Sequence, residues 1–313
     1  MSGEAILVID VQNCFLPGGS LATANVRDKD LPASTLGTSI AKYINAANPE
    51  HVFISKDWHT PGHSSFVSAE QKAQGMLNFP SAAAIGEYGR GIASGRYASR
   101  KFTGKRAWGK KEERVDQKLW PEHCVQGSDG AMVDAAFMAA LSPANQKKAV
   151  TILKGDTPDI DSYSVVADAL GSPTPHDESG KSFLSILKES NIAKISLTGI
   201  ARDVCVFWSA LDILNYWILP QYANGGSVVK LVFMYDLTRP VSPVPGAPYT
   251  DKTPEQIMDE VKVLIKNKGL KPEVIDEVFE IKMGGYGATG GRRRFKRTMR
   301  KGVRSSRRRF FAF

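Results

Sequence analysis

A chain of 313 residues, 42% of them hydrophobic, suits one large α/β domain with extensions and is too apolar for a disordered or fibrous protein. Lys and Arg number 41 against 32 Asp and Glu, a formal charge of +9, yet eleven of those cations and no acid lie in residues 292–313. Residues 1–291 are left with thirty basic against 32 acidic side chains, or −2, so a near-neutral body carries a basic tail. Three cysteines, Cys14, Cys124 and Cys205, are too few and too odd in number for a secreted disulfide framework, which predicts an intracellular, reducing setting. The opening Met1-Ser2-Gly3-Glu4 has no basic leader, and no apolar run is long enough for a transmembrane segment.

Short apolar runs alternate with helix-like stretches, the pattern of βαβ units around a parallel sheet. In chain order, strands are expected at 5–11, 51–57, 149–155, 194–200, 228–236 and 274–281. Helices are expected at 39–48, 131–141, 162–170, 181–190, 204–217 and 254–268, the last with Thr253 as N-cap and Glu255 in its first turn. The implied fold is α/β, a doubly wound three-layer sandwich with a six-stranded, mostly parallel sheet, and ligands then bind at the carboxyl ends of the strands. Domain limits follow from composition. Residues 1–283 form the body, 67–118 a long insertion, 284–291 a Gly-rich hinge and 292–313 the basic tail; 238–252, with four prolines, is an extended connection.

The polar residues at strand exits are the candidates for chemistry. Asp10 ends an otherwise apolar first strand, where a buried carboxylate needs a partner. Lys154 ends the third strand, and an ammonium and a carboxylate at neighbouring strand ends keep one another charged. Cys205 lies just past the fourth, in the first turn of a helix, where the helix N-terminus and a nearby Lys lower a thiol pKa. A second cluster, Asp57-Trp58-His59, offers two metal ligands just past a strand, with His63 and His123 as alternative third ligands. His51 and His176 read as surface residues without partners.

Together these segments resemble the nicotinamidase branch of the isochorismatase-like cysteine hydrolases. The matching pieces are Asp10-Val11-Gln12-Asn13 with Pro17-Gly18-Gly19-Ser20-Leu21, Asp57-Trp58-His59 with His63-Ser64-Ser65-Phe66, Trp120-Pro121-Glu122-His123-Cys124, Lys154-Gly155 with Asp161-Ser162-Tyr163-Ser164, Gly199-Ile200-Ala201 through Cys205, and Asp236-Leu237-Thr238-Arg239-Pro240. They occur in the family's order. The resemblance implies a catalytic set of Asp10, Lys154 and Cys205, and it selects His123 as the third ligand beside Asp57 and His59, with His63 a neighbour. It further implies one divalent metal ion, zinc, a cis peptide at Ile200–Ala201, and an oxyanion hole from the backbone N–H groups of Ala201 and Cys205.

The implied activity is hydrolysis of nicotinamide to nicotinate and ammonia through a thioester on Cys205. Phe15, Leu21 and Trp120 would wall the aromatic amide, with ordinary core packing the alternative for Phe15. Three departures stand out: Cys14 replaces an acid, Val166 replaces Phe, and Arg202 replaces a small or hydroxylated residue, which would narrow or recharge the pocket. The tail falls outside the pattern. Its charge suits nucleic acid, another polyanion, nuclear import or an anionic membrane surface. Two alternatives stand beside the nicotinamide hydrolase: a nicotinamidase-like body kept as a nucleic-acid-associated or structural component, and a related amidase with a different small amide substrate. The expected location is cytoplasmic, or nuclear or assembly-bound through the tail, with oligomerisation open.

Overall fold

The computed structural model describes residues 3–23, 33–66, 120–158, 160–241 and 251–284. The chain divides into two compact units, Met1–Met283 and Gly284–Phe313. The whole of the expected insertion at 67–118, residues 242–250 of the expected extended connection, the hinge after Gly284 and the basic tail lie outside the described residues.

The first unit is built on a seven-stranded sheet. Its strands are β1 (Gly3–Ile9), β2 (His51–Asp57), β3 (Ala149–Lys154), β4 (His176–Asp177), β5 (Ile192–Ile200), β6 (Lys230–Arg239) and β7 (Phe279–Lys282), in the order β4-β3-β2-β1-β5-β6-β7. All neighbours pair in parallel except β3 and β4. Ala5 through Ile9 have no exposed surface, so both faces of the central strand are covered and it reads as a continuous apolar run. The strand order reverses between β1 and β5, and Asp10, Asp57, Lys154 and Ala201 all fall at carboxyl ends around that switch point.

The helices are α1 (Ala33–Ala47), α2 (Ala135–Ala140), α3 (Pro143–Lys148), α4 (Phe183–Glu189), α5 (Cys205–Ile213), α6 (Leu219–Ala223), α7 (Pro254–Asn267) and α8 (Val274–Val278). Local chemistry sets several ends. Thr253 accepts from Gln256 N–H while the Gln256 side chain accepts from Thr253 N–H, a reciprocal cap of α7. Asp134 accepts from Ala136 and Phe137 N–H, which starts α2 later than the expected 131–141. Asn48, at φ 42°, stops α1, and Asp10, at φ 50°, stops β1 at Ile9 instead of residue 11.

Three expectations are corrected. The sheet has a seventh strand, β4, whose two residues are too few to leave an alternating pattern. Residues 162–170 form bends rather than a helix because their own side chains capture the backbone. Ser162 Oγ donates to the carbonyls of Ser164 and Ala167, and Asp168 Oδ1 accepts from Leu170 and Ser172 N–H. The last expected strand, 274–281, begins as a helix, with Val274, Ile275 and Val278 on its buried side, and becomes β7 only at Phe279.

Gly199 lets β5 reach β1. It has φ 113°, and a Cβ there would sit 2.0 Å from the Ile9 carbonyl oxygen. Gly199→Ala is expected to destabilise the domain by about 3 kcal/mol, read as a lower urea midpoint at unchanged slope.

Candidate active site

Lys154 is the hub of the site. The β2–β3 register sets it directly beside Asp57. Its ammonium has no exposed surface and lies 2.9 Å from Asp10 Oδ2, 3.0 Å from Asp57 Oδ1, 3.1 Å from the Ser162 carbonyl and 3.6 Å from Cys205 Sγ. Ser55, on β2, donates to Asp10 Oδ1 at 2.6 Å and accepts from Asp10 N–H at 3.1 Å. Asp10, Lys154 and Cys205 therefore meet, as their places at three strand exits predicted.

The electrostatics follow from this burial. Burial opposes the Lys154 charge, but Asp10, Asp57 and Cys205 hold its pKa well above the ordinary value. Burial, together with the Asp57 charge, raises Asp10 despite Lys154 and the Ser55 hydrogen bond. Cys205 is pushed well up by burial and by the two carboxylates, with Lys154 pulling the other way. The expected lowering of the thiol pKa at the start of α5 is thus corrected: the shift is upward, because desolvation outweighs the pull of the lysine.

The other Asp57 oxygen, Oδ2, faces His59 Nε2 at 3.1 Å and His123 Nε2 at 3.3 Å. Among the described residues these three are the one cluster of His, Cys, Asp or Glu suited to a metal ion. The donor set fits. His59 Nδ1 donates to the Gly155 carbonyl at 2.9 Å and His123 Nδ1 to the Pro121 carbonyl at 2.7 Å, which turns both Nε2 lone pairs inward. Gln12 holds the Asp57 backbone from both sides, donating to its carbonyl and accepting its N–H, each at 2.8 Å. Burial opposes ionisation of Asp57, but His59, Lys154 and the imidazole hydrogen bonds keep its pKa well below the ordinary range. Burial likewise opposes a charge on His59, and Asp57 nonetheless raises its pKa.

His63 is not one of the three. Its Nδ1 accepts from Ser65 Oγ at 2.7 Å and its Nε2 donates to the Thr157 carbonyl at 2.9 Å, with its ring 4.4 Å from that of His59. His51 and His176 are also not without partners, each lying 3.8 Å from a carboxylate, Glu50 and Asp156 respectively.

One cavity, with about 320 Å³ of empty space, connects Cys205 to the three clustered ligands. Phe15, Leu21 and Trp120 line it as expected, and so does Ala201. Asp161, Tyr163, Val204 and Val241 line it too and were missed. For Tyr163 a signal existed in the Asp-Ser-Tyr-Ser segment, and the structure fixes the ring through a hydrogen bond from Trp120 Nε1 at 3.1 Å. Val241 carries no such signal. Arg202 does not line the cavity, so the expected change of pocket charge does not arise; its side chain is buried on Asp251. The Ile200–Ala201 peptide is cis.

Cys14 and Cys124, 110 residues apart, are disulfide-bonded with Cα atoms 5.7 Å apart, a single bridge that leaves Cys205 free. The bridge ties the turn carrying Phe15 to the loop carrying His123. No described helix is long and apolar enough to cross a membrane.

A doubly wound sheet with an acid, a lysine and a thiol converging at its carboxyl edge is the framework of a hydrolase. No family model matches the chain. It is 33% identical over 212 residues to the nicotinamidase of Acinetobacter baylyi, covering 66% of this chain and 73% of that enzyme. It is 27% identical over 221 residues to the nicotinamidase of Escherichia coli, covering 69% and 78%. The crystal structure of the yeast nicotinamidase bound to the inhibitor nicotinaldehyde has the same fold, with a TM-score of 0.54, 18% identity, and coverage of 89% of this chain and 100% of that one. The chain belongs to the nicotinamidase family.

Gly155, at φ 69°, leaves room for His59: a Cβ there would lie 2.7 Å from the imidazole Cε1 and 3.0 Å from Asp57 Oδ1. Gly155→Ala is expected to weaken divalent metal binding by about 10- to 100-fold, measured by calorimetric titration.

Proposed function

We propose that this protein hydrolyses nicotinamide to nicotinate and ammonia, with Cys205 as nucleophile. The observation that carries the reading is that Cys205, in contact with Lys154 and through it with Asp10, lines one cavity together with the Asp57–His59–His123 cluster. The chain's likeness to the A. baylyi nicotinamidase supports nicotinamide as the substrate.

Each residue has a place in the reaction. Burial favours the protonated thiol, and Asp10 takes its proton as the sulfur attacks the amide carbon. Lys154 keeps Asp10 ionised and faces the sulfur. The N–H groups of Ala201 and of Cys205, at the start of α5, receive the charge that builds on the carbonyl oxygen. When the C–N bond breaks, Asp10 returns the proton to the departing ammonia. Asp10 then deprotonates a water that attacks the thioester, and the thiol and the carboxylic acid product separate. Asp57, His59 and His123 would hold a divalent metal ion, zinc by the N,N,O donor set. Such an ion supplies a template that orients the ring nitrogen of the substrate. Phe15, Leu21, Trp120 and Tyr163 would exclude water around the ring.

Cys205→Ala in metal-replete protein is expected to abolish ammonia release, and Asp10→Asn to lower kcat/KM by about a thousandfold. The base must be ionised, and burial favours its protonated form. Activity should therefore fall with decreasing pH at a pKa above the ordinary 3.8 of a carboxyl. An acid limb at or below that value would remove Asp10 from the role of base.

The second reading rests on eleven cations and no acid in residues 292–313. The tail would bind DNA, RNA or another polyanion without sequence preference. Retention of the full-length protein on nucleic acid should fall steeply with salt and vanish on truncation after Gly291; equal retention by the truncated chain would dispose of it.

A further inference from the structure

Arg202 separates the pocket residue Ala201 from the helix that begins at Cys205, and its side chain has no exposed surface. Its Nε and Nη2 donate to the two oxygens of Asp251 at 2.9 and 3.0 Å, a two-point fork. Its Nη1 reaches the carbonyls of Tyr235 and Thr238 at 3.3 and 3.4 Å, and its guanidinium lies 4.1 Å over the Tyr235 ring. The Tyr235 hydroxyl in turn donates to the Lys252 carbonyl at 3.0 Å. Arg202 N–H donates to the Arg239 carbonyl at 2.7 Å. One side chain thus joins the β5–α5 turn to β6 and to the residues that lead into α7.

A buried ion pair is a weak source of net stability, since apolar groups of the same shape often serve as well. Direction is what a planar fork contributes and a greasy contact does not. The direction matters here because the neighbours are reactive. The Ala201 carbonyl accepts from Val204 and Val206 N–H at 3.1 and 2.9 Å, so a shift of Arg202 passes within one residue to Ala201 and to the first turn of α5. The next residue, Asp203, accepts from the N–H of Val241, a residue of the pocket wall, at 2.9 Å.

We propose that Arg202, locked by Asp251, is a positioning residue: it sets where the Ala201 and Cys205 N–H groups lie relative to the Cys205 sulfur. The role rests on the nicotinamidase reading. It acts on the transition state, while ground-state binding of the ring rests chiefly on Phe15, Leu21, Trp120 and Tyr163.

Two full-length, metal-replete variants test it. Asp251→Asn keeps the shape and removes the charge, while Arg202→Lys keeps the charge and removes the fork; should the first fail to fold, the second carries the same measurements. Each is expected to lower kcat for nicotinamide by about 10- to 100-fold with KM changed by less than about twofold. Affinity for nicotinaldehyde, whose carbonyl carbon accepts the Cys205 sulfur and leaves an oxyanion, should fall in step with kcat/KM, and affinity for nicotinate should hold. Hydrogen exchange at the Val204 and Val206 amides, which needs no substrate, should quicken relative to β1. Unchanged kcat, a rise in KM that accounts for the loss of kcat/KM, or unaltered exchange at Val204 and Val206 overturns the proposal. Wild-type protein that releases no ammonia from nicotinamide overturns the function instead, and the exchange rates still decide whether Arg202 holds the turn.

Discussion

A lysine ammonium with no exposed surface is the constraint around which this site is arranged. Removing such an ion from water costs several kcal/mol, and the cost is offset only if its donors all find acceptors. Lys154 finds two carboxylates, a carbonyl and a sulfur, each supplied by a different segment of chain. Removing the lysine would leave Asp10 and Asp57 facing one another in a buried space beside a thiol. The ammonium is therefore what allows two acids to share the carboxyl edge of the sheet.

Asp57 passes that constraint to the metal-ligand cluster. One of its oxygens faces the lysine, the other the two imidazoles. The nucleophile and the ligand set are thus parts of one charge network, and a change at either end is felt at the other. Backbone groups complete the arrangement. Carbonyls of Gly155 and Pro121 take the Nδ1 protons, Gln12 clasps the Asp57 peptide, and Gly155 stays small enough to let His59 approach. The disulfide between Cys14 and Cys124 adds a covalent tie between two of the contributing loops.

Much of the fold was legible because parallel strands buried on both faces need unbroken apolar runs, and β2, β3 and β5 were located within a residue or two. The errors have local causes. A serine- and aspartate-rich stretch with helix-like spacing bonds to itself, and a Val-Ile-rich stretch suited to a strand turns helical where its apolar face meets the core. Asp10, Lys154, Cys205, Asp57 and His59 were visible as polar residues ending apolar runs. His123 was not separable from His63 by spacing, and the hydrogen bonds that occupy both His63 nitrogens appear only in three dimensions.

Taken alone, the sequence determined the class of sheet, the strand exits where charge must gather, and the concentration of eleven cations in residues 292–313. These are properties of composition and periodicity, which belong to the chain before it folds. The tertiary structure decided the rest: the upward shift of the Cys205 thiol pKa by burial, the pairing of Cys14 with Cys124, and the turning of Arg202 away from the cavity onto Asp251. Each depends on desolvation or on contact between residues far apart in the chain, and neither is written in local order.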